Sequence, residues 1–187
     1  MPTYFFTYLL LLIGSTVVTF SASLIARKRN APGSTTLRAL LVVMSMWSAT
    51  AAAIYIQDGF AGKVFWLNVM VVPVAIAPIL FMTFILKFSG SPVWVTRRAL
   101  TLLYAFSIVF ILLQWTNSYH HLVLSSVQLV EQDGFSALKI QRGPVYFVNL
   151  AIAYGTVTMG ILTLVREALR ASHLYRNQYR LLLLGCI

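Results

Sequence analysis

Five apolar runs, each long enough to cross a bilayer, leave this sequence few folds to choose from. They cover residues 4–26, 37–56, 64–88, 99–116 and 144–165. A helix needs roughly 20 apolar residues to cross the hydrocarbon core, and only helices and closed barrels satisfy their backbone groups there. Charged residues make up 10% of the 187 and hydrophobic ones 59%, with a mean hydropathy of +0.83. A soluble domain carries about 25% charge. The expected fold is therefore an all-α polytopic membrane bundle, one domain over residues 1–187, with the lipid bilayer as its solvent. A further apolar run at residues 181–187 reads as the start of a sixth span, and the sequence as a fragment of a longer protein. The first run is read as a retained anchor and not a signal peptide, because Arg27-Lys28-Arg29 follows it and no basic stretch precedes it.

The net charge of +10 would suit nucleic-acid binding if it were clustered for that purpose. Its distribution says otherwise. Eleven of the fourteen basic residues fall in the first, third and fifth gaps: Arg27, Lys28, Arg29 and Arg38, then Lys87, Arg97 and Arg98, then Arg166, Arg170, Arg176 and Arg180. Lys63, Lys139 and Arg142 fall in the other gaps, together with Asp58, Glu131 and Asp133. This is the positive-inside pattern. It predicts cytoplasmic odd-numbered gaps, an extracytoplasmic N-terminus and no nucleic-acid partner.

Within the spans, small residues recur at helical spacing. Ser15, Thr19 and Ser23 share one face of the first span, and Ser45, Ala49 and Ala53 one face of the second. Such stripes let helices approach closely in lipid. Pro32-Gly33 marks a turn, with Ser34 or Thr35 expected to cap the second helix. The third span carries Asn68, Pro73 and Pro78. Two interior prolines predict a broken or hinged helix. Asn68 suits either an interhelical hydrogen bond or the wall of a ligand cavity.

Between spans four and five lies the one sizeable polar insert. Residues 122–130 are β-branched and partly alternating, Asp133-Gly134 signals a tight turn, and residues 135–141 alternate again. A β-hairpin over residues 121–143 is expected, packed on the outer mouth of the bundle as a lid or a cover, because an isolated hairpin is marginal in water. His120-His121, read as strand neighbours, would point to opposite faces. No Cys or Glu is spaced to complete a metal site around them. Cys186 reads as a buried apolar side chain and His173 as a surface residue. No metal, cofactor or catalytic residue is indicated.

The motifs Phe65-Trp66-Leu67-Asn68, Pro78, Thr116-Asn117, His120-His121-Leu122, Arg142-Gly143-Pro144 with Tyr146, Arg176-Asn177-Gln178 and residues 181–185 carry a resemblance. The chain resembles the N-terminal seven-helix membrane domain of bacterial sensor histidine kinases, which also precedes some diguanylate cyclases. The resemblance implies a multi-pass inner-membrane input domain for two-component signal transduction. It also implies seven spans, of which this chain is a truncated part. The output domain would follow the seventh span in the cytoplasm, and the parent kinase would be a homodimer. No ATP loop or phosphoacceptor motif is present, so this stretch itself is expected to be inert.

In this reading a small ligand or peptide acts on the outer half of the bundle. The candidate site is Asn68, Gln114, Trp115, Asn117, His120, Tyr146 and Asn149, with Pro73 and Pro78 as the hinge. A transporter or channel fragment is the alternative, favoured by broken helices but opposed by the lack of buried charge and of an internal repeat. A membrane enzyme would need clustered acids, Cys or His at depth, which the spans do not offer.

Overall fold

The computed structural model describes residues 3–26, 32–90, 97–132 and 135–170. The described elements, in order, are α1 (Thr3–Ala26), α2 (Ser34–Ile56), α3 (Phe60–Ser89), α4 (Arg97–Trp115), the one-turn α5 (Asn117–His120), β1 (Leu124–Gln132), β2 (Phe135–Arg142) and α6 (Pro144–Arg170). The five long helices are all apolar and long enough to cross a membrane. Leu10, Leu11, Leu102 and Leu169 stand exposed on their outer faces. Apolar surface of that extent is sustained by lipid and not by water.

α3 is the hub, packing against α2, α4 and α6. Named contacts fix the directions. Ser15 meets Ser48 and Thr19 meets Ser45, so α1 and α2 are antiparallel. Lys63 at the start of α3 reaches Ile54 near the end of α2, and Lys87 near the end of α3 reaches Thr36 near the start of α2. Asn68 meets Gln114, and Ala75 meets Ser107, so α3 and α4 are antiparallel too. α6 runs parallel to α3, with Gly160 against Phe81 and Leu164 in one buried cluster with Phe84 and Ile85. Among the described residues, Arg38, Lys87, Arg97, Arg98, Arg166 and Arg170 thus gather at one end of the bundle, with the hairpin and Lys63 at the other.

The small residues of α1 and α2 meet through hydroxyls, at Ser15, Thr19, Ser45 and Ser48, whereas Ala49 of the expected second stripe is exposed. Ser15–Ser48 and Thr19···Ser45 are both 2.7 Å, and Ser45 and Ala52 are buried. The lysines at the ends of α3 are 24 positions apart, about 36 Å at 1.5 Å per residue, which places them beyond either side of a hydrocarbon core of about 30 Å. Lys63 Nζ donates to the Ile54 carbonyl at 2.8 Å, meeting one of the carbonyls left open in the last turn of α2.

Several expectations need correction. α2 has no Ser or Thr cap: Gly33 holds that position at φ 81 with no side-chain cap, and Ser34 is already helical. Gly33 backs onto Phe84 and Phe88 of α3, and its left-handed backbone suits glycine. α3 is not broken, since it runs as one helix through both prolines. It also begins at Phe60, earlier than the expected span. α6 continues as helix to Arg170, past the expected end of the fifth span at 165. The hairpin strands begin at Leu124, not at 121, and His121 lies on no strand: it is the left-handed C-cap of α5, at φ 54. The expected Asp133-Gly134 turn, the basic cluster at 27–29, Arg176, Arg180, His173 and Cys186 lie outside the described residues.

The hairpin itself is present. β1 and β2 pair antiparallel from Leu124↔Arg142 to Gln132↔Phe135, with a bulge between Leu124 and Ser126. Its base is sunk into the bundle. Val123 and Leu124 share a buried cluster with Ala75 of α3 and Phe110 of α4, and Val127 and Ile140 pack against that cluster.

Candidate functional site

The joint between α4 and the hairpin is held by one side chain. Asn117 Oδ1 accepts from the Val123 and Leu124 amides at 2.9 and 3.0 Å, and its Nδ2 donates to the Leu124 carbonyl at 2.8 Å. A short polar side chain at a helix start suits this local pairing with loop backbone. One turn on, His120 Nδ1 accepts from the Leu122 amide at 3.0 Å. Its proton in the neutral ring is then on Nε2, which faces Thr116 Oγ1 at 3.2 Å. Thr116 in turn donates to the Leu112 carbonyl at 2.8 Å. The return strand closes on the same loop. The Gly143 amide donates to the Val123 carbonyl at 2.8 Å and the Val145 amide to the Leu122 carbonyl at 3.1 Å. A Cβ at Gly143 would fall on the Leu122 carbonyl. This gives the Arg142-Gly143-Pro144 motif its physical basis: glycine for the close approach, proline for the first turn of α6.

Beneath this joint, Gln114 Nε2 donates to Asn68 Oδ1 at 2.9 Å, joining α4 to α3. Gln114 is 3% exposed. Of the two roles open to Asn68, the structure places it in the interhelical bond. Trp115 is half-exposed and meets Phe65 edge to face, with ring centroids 6.1 Å apart. Deeper, Ser107 Oγ donates to the Ala75 carbonyl at 3.0 Å. Ala75 lies between Pro73 and Pro78, in a stretch where the proline nitrogens cannot donate to the Val69 and Val74 carbonyls. A hydroxyl from α4 therefore supports α3 where its own ladder is weakest.

Asn149 sits elsewhere, and Tyr146 stands between the two regions, packing on the cluster of Ala75, Phe110, Val123 and Leu124. Both residues line a cavity of about 520 Å³ between α2, α3 and α6, alongside Trp47, Pro78 and Phe81. The Arg142 guanidinium lies 4.5 Å from the centre of the Tyr146 ring, a cation–π arrangement. Of the seven expected site residues, Asn68, Gln114, Trp115, Asn117 and His120 therefore lie on the α3–α4–hairpin side and Asn149 on the cavity side, with Tyr146 touching both. Ser107, Lys63 and Gly143 carry structural roles that sequence reading did not assign. For Ser107 a signal existed: Ser107, Phe110 and Gln114 have helical spacing and form the buried face of α4.

The family described as the N-terminal 7TM region of histidine kinase matches residues 9–187. No curated protein and no solved structure matches the chain.

Proposed function

The chain belongs to the family of N-terminal 7TM regions of histidine kinases, and from that membership we propose how this membrane sensor input region is oriented and how it works. The N-terminus and the hairpin face the extracytoplasmic side of the inner membrane, and the arginine-rich end faces the cytoplasm. Two further spans complete the bundle and lead to a cytoplasmic output domain, which brings two copies together as a homodimer. A small ligand or peptide acts on the outer half, at Asn68, Gln114, Trp115, Asn117, His120, Tyr146 and Asn149. α3 transmits the change by flexing at Pro73 and Pro78.

One observation supports this reading above the others. The hairpin base does not lie loosely on the bundle: Val123 and Leu124 share a buried cluster with Ala75, the residue flanked by the two prolines. A shift of the hairpin therefore acts on the part of α3 with the fewest backbone hydrogen bonds of its own. A ligand moves such an equilibrium only by binding its two states with different affinity.

Two experiments test it. In the full-length protein in lipid nanodiscs, His120→Ala and Trp115→Ala are expected to alter kinase output, read as autophosphorylation, relative to the unsubstituted protein. Unchanged output in both removes the proposed site. Lys139→Cys in a Cys186→Ala background is expected to react with a membrane-impermeant maleimide in intact cells. Labelling only after permeabilisation sinks the orientation.

A further inference from the structure

The cavity between α2, α3 and α6 is a groove. Its α6 wall is one helical stripe, Tyr146, Asn149, Ala153, Val157 and Ile161, spanning about 22 Å at 1.5 Å per residue. Polarity falls along it. Tyr146 and Asn149 are at the hairpin end, and from Val157 onward the wall is apolar, with Leu40 and Phe81 opposite. Asn149 is 6% exposed and has no hydrogen-bond partner among the described residues. Among the described residues no fully buried side-chain N or O lacks a partner, so this unpartnered amide opens onto the cavity, where it can meet a ligand's polar group. Arg142, exposed beside Tyr146, puts a cation at the same end.

We infer that this groove binds a long-chain amphiphile with an anionic head, of the fatty-acid class. The head lies between Arg142 and Asn149, and the chain runs along Ala153 and Val157 toward Ile161. A bare hydrocarbon tail fills such a groove but leaves Asn149 unmet, whereas a carboxylate accepts from its amide and carries the charge that Arg142 complements. The inference rests on the sensor reading for its consequence, since it names the ligand class which that reading leaves open.

The test is binding of tritiated palmitate to the full-length protein in phosphatidylcholine nanodiscs, in excess of empty discs. Saturable binding is expected, displaced by oleate and not by hexadecane. Ala153→Phe fills the groove and is expected to weaken binding about tenfold or more, and Asn149→Leu about tenfold, as for one lost hydrogen bond to a charged head. Ala151→Phe, on the lipid-facing side of α6, controls for folding and is expected to leave binding unchanged. No saturable binding, because bulk phospholipid or another helix of the protein fills the groove, overturns the inference. So does equal binding by wild type, Ala153→Phe and Asn149→Leu, or displacement by hexadecane. Kinase output read in the same discs separates the two levels. Saturable binding with unchanged output keeps the site and removes its sensory role, whereas absent binding with an intact response removes the site alone.

Discussion

Replacing Asn117 by alanine tests whether polar contacts or apolar packing dock the hairpin. The substitution removes three hydrogen bonds at once, two from backbone amides to Oδ1 and one from Nδ2 to a carbonyl. Val123 is 0% exposed and Leu124 8%, so water replaces the lost partner poorly at these amides. A buried group left unmet costs about 1–3 kcal/mol. Because Asn117 is itself only partly buried, we discount the sum and expect a loss of about 2–4 kcal/mol in hairpin docking. At about 1.4 kcal/mol per decade that is roughly 30-fold to 1,000-fold. Hydrogen exchange in nanodiscs reads it directly. Amides of β1 and β2 are expected to exchange faster by that factor, since an undocked hairpin is marginal, while α1 and α2 are unchanged. Asn117→Asp keeps the acceptor for both amides and loses only the donor, so its effect is expected to be near tenfold. Acceleration of less than about threefold in the alanine variant refutes the reasoning. It would mean that the cluster around Val123 and Phe110 holds the hairpin without the clasp.

Gly143→Ala is expected to lower bundle stability by about 2–4 kcal/mol in detergent unfolding, because its Cβ meets the Leu122 backbone. Gly59→Ala, with open space around it, serves as the near-neutral control, and similar losses in the two would remove the close-approach argument. For the Asn68–Gln114 pair, a double-mutant cycle with Asn68→Leu and Gln114→Leu is expected to give a coupling of about 0.6 kcal/mol, the mean for bilayer hydrogen bonds. Additivity of the two single effects would show that the bond contributes nothing to the α3–α4 contact.

Residues 64–88 and 144–165 announced themselves as spans because apolar length and charge count are local quantities, and no tertiary partner can make a charged run spannable. The same holds for the hairpin, whose alternation over residues 122–130 and 135–141 is a period-two signal carried by the strands themselves. Elements that depend on a neighbour were not legible in this way. Ser34 looks like a cap by type, yet Gly33 takes that place with a left-handed backbone at φ 81, which glycine adopts without steric cost. Two prolines predict a break, yet α3 is continuous, with Ser107 of α4 supporting the Ala75 carbonyl between them. His120 and His121 read as strand neighbours, but one ends a helical turn and the other caps it.

The candidate site divides along the same line. Polar residues near the hairpin ends of the spans were identifiable by type alone, since each stands out against an apolar background. Which of them meet was decided by packing: Asn117 makes three hydrogen bonds to the loop and Gln114 turns to Asn68, while Asn149 keeps its amide open in a groove made by three helices distant in sequence. Sequence by itself determined the apolar environment, the five long apolar helices among the described residues and the presence of a two-stranded insert, because those follow from patterns local to the chain. Only the tertiary structure decided which polar groups are satisfied, because a hydrogen bond needs a partner at about 2.9 Å, and partners are brought within that distance by folding alone.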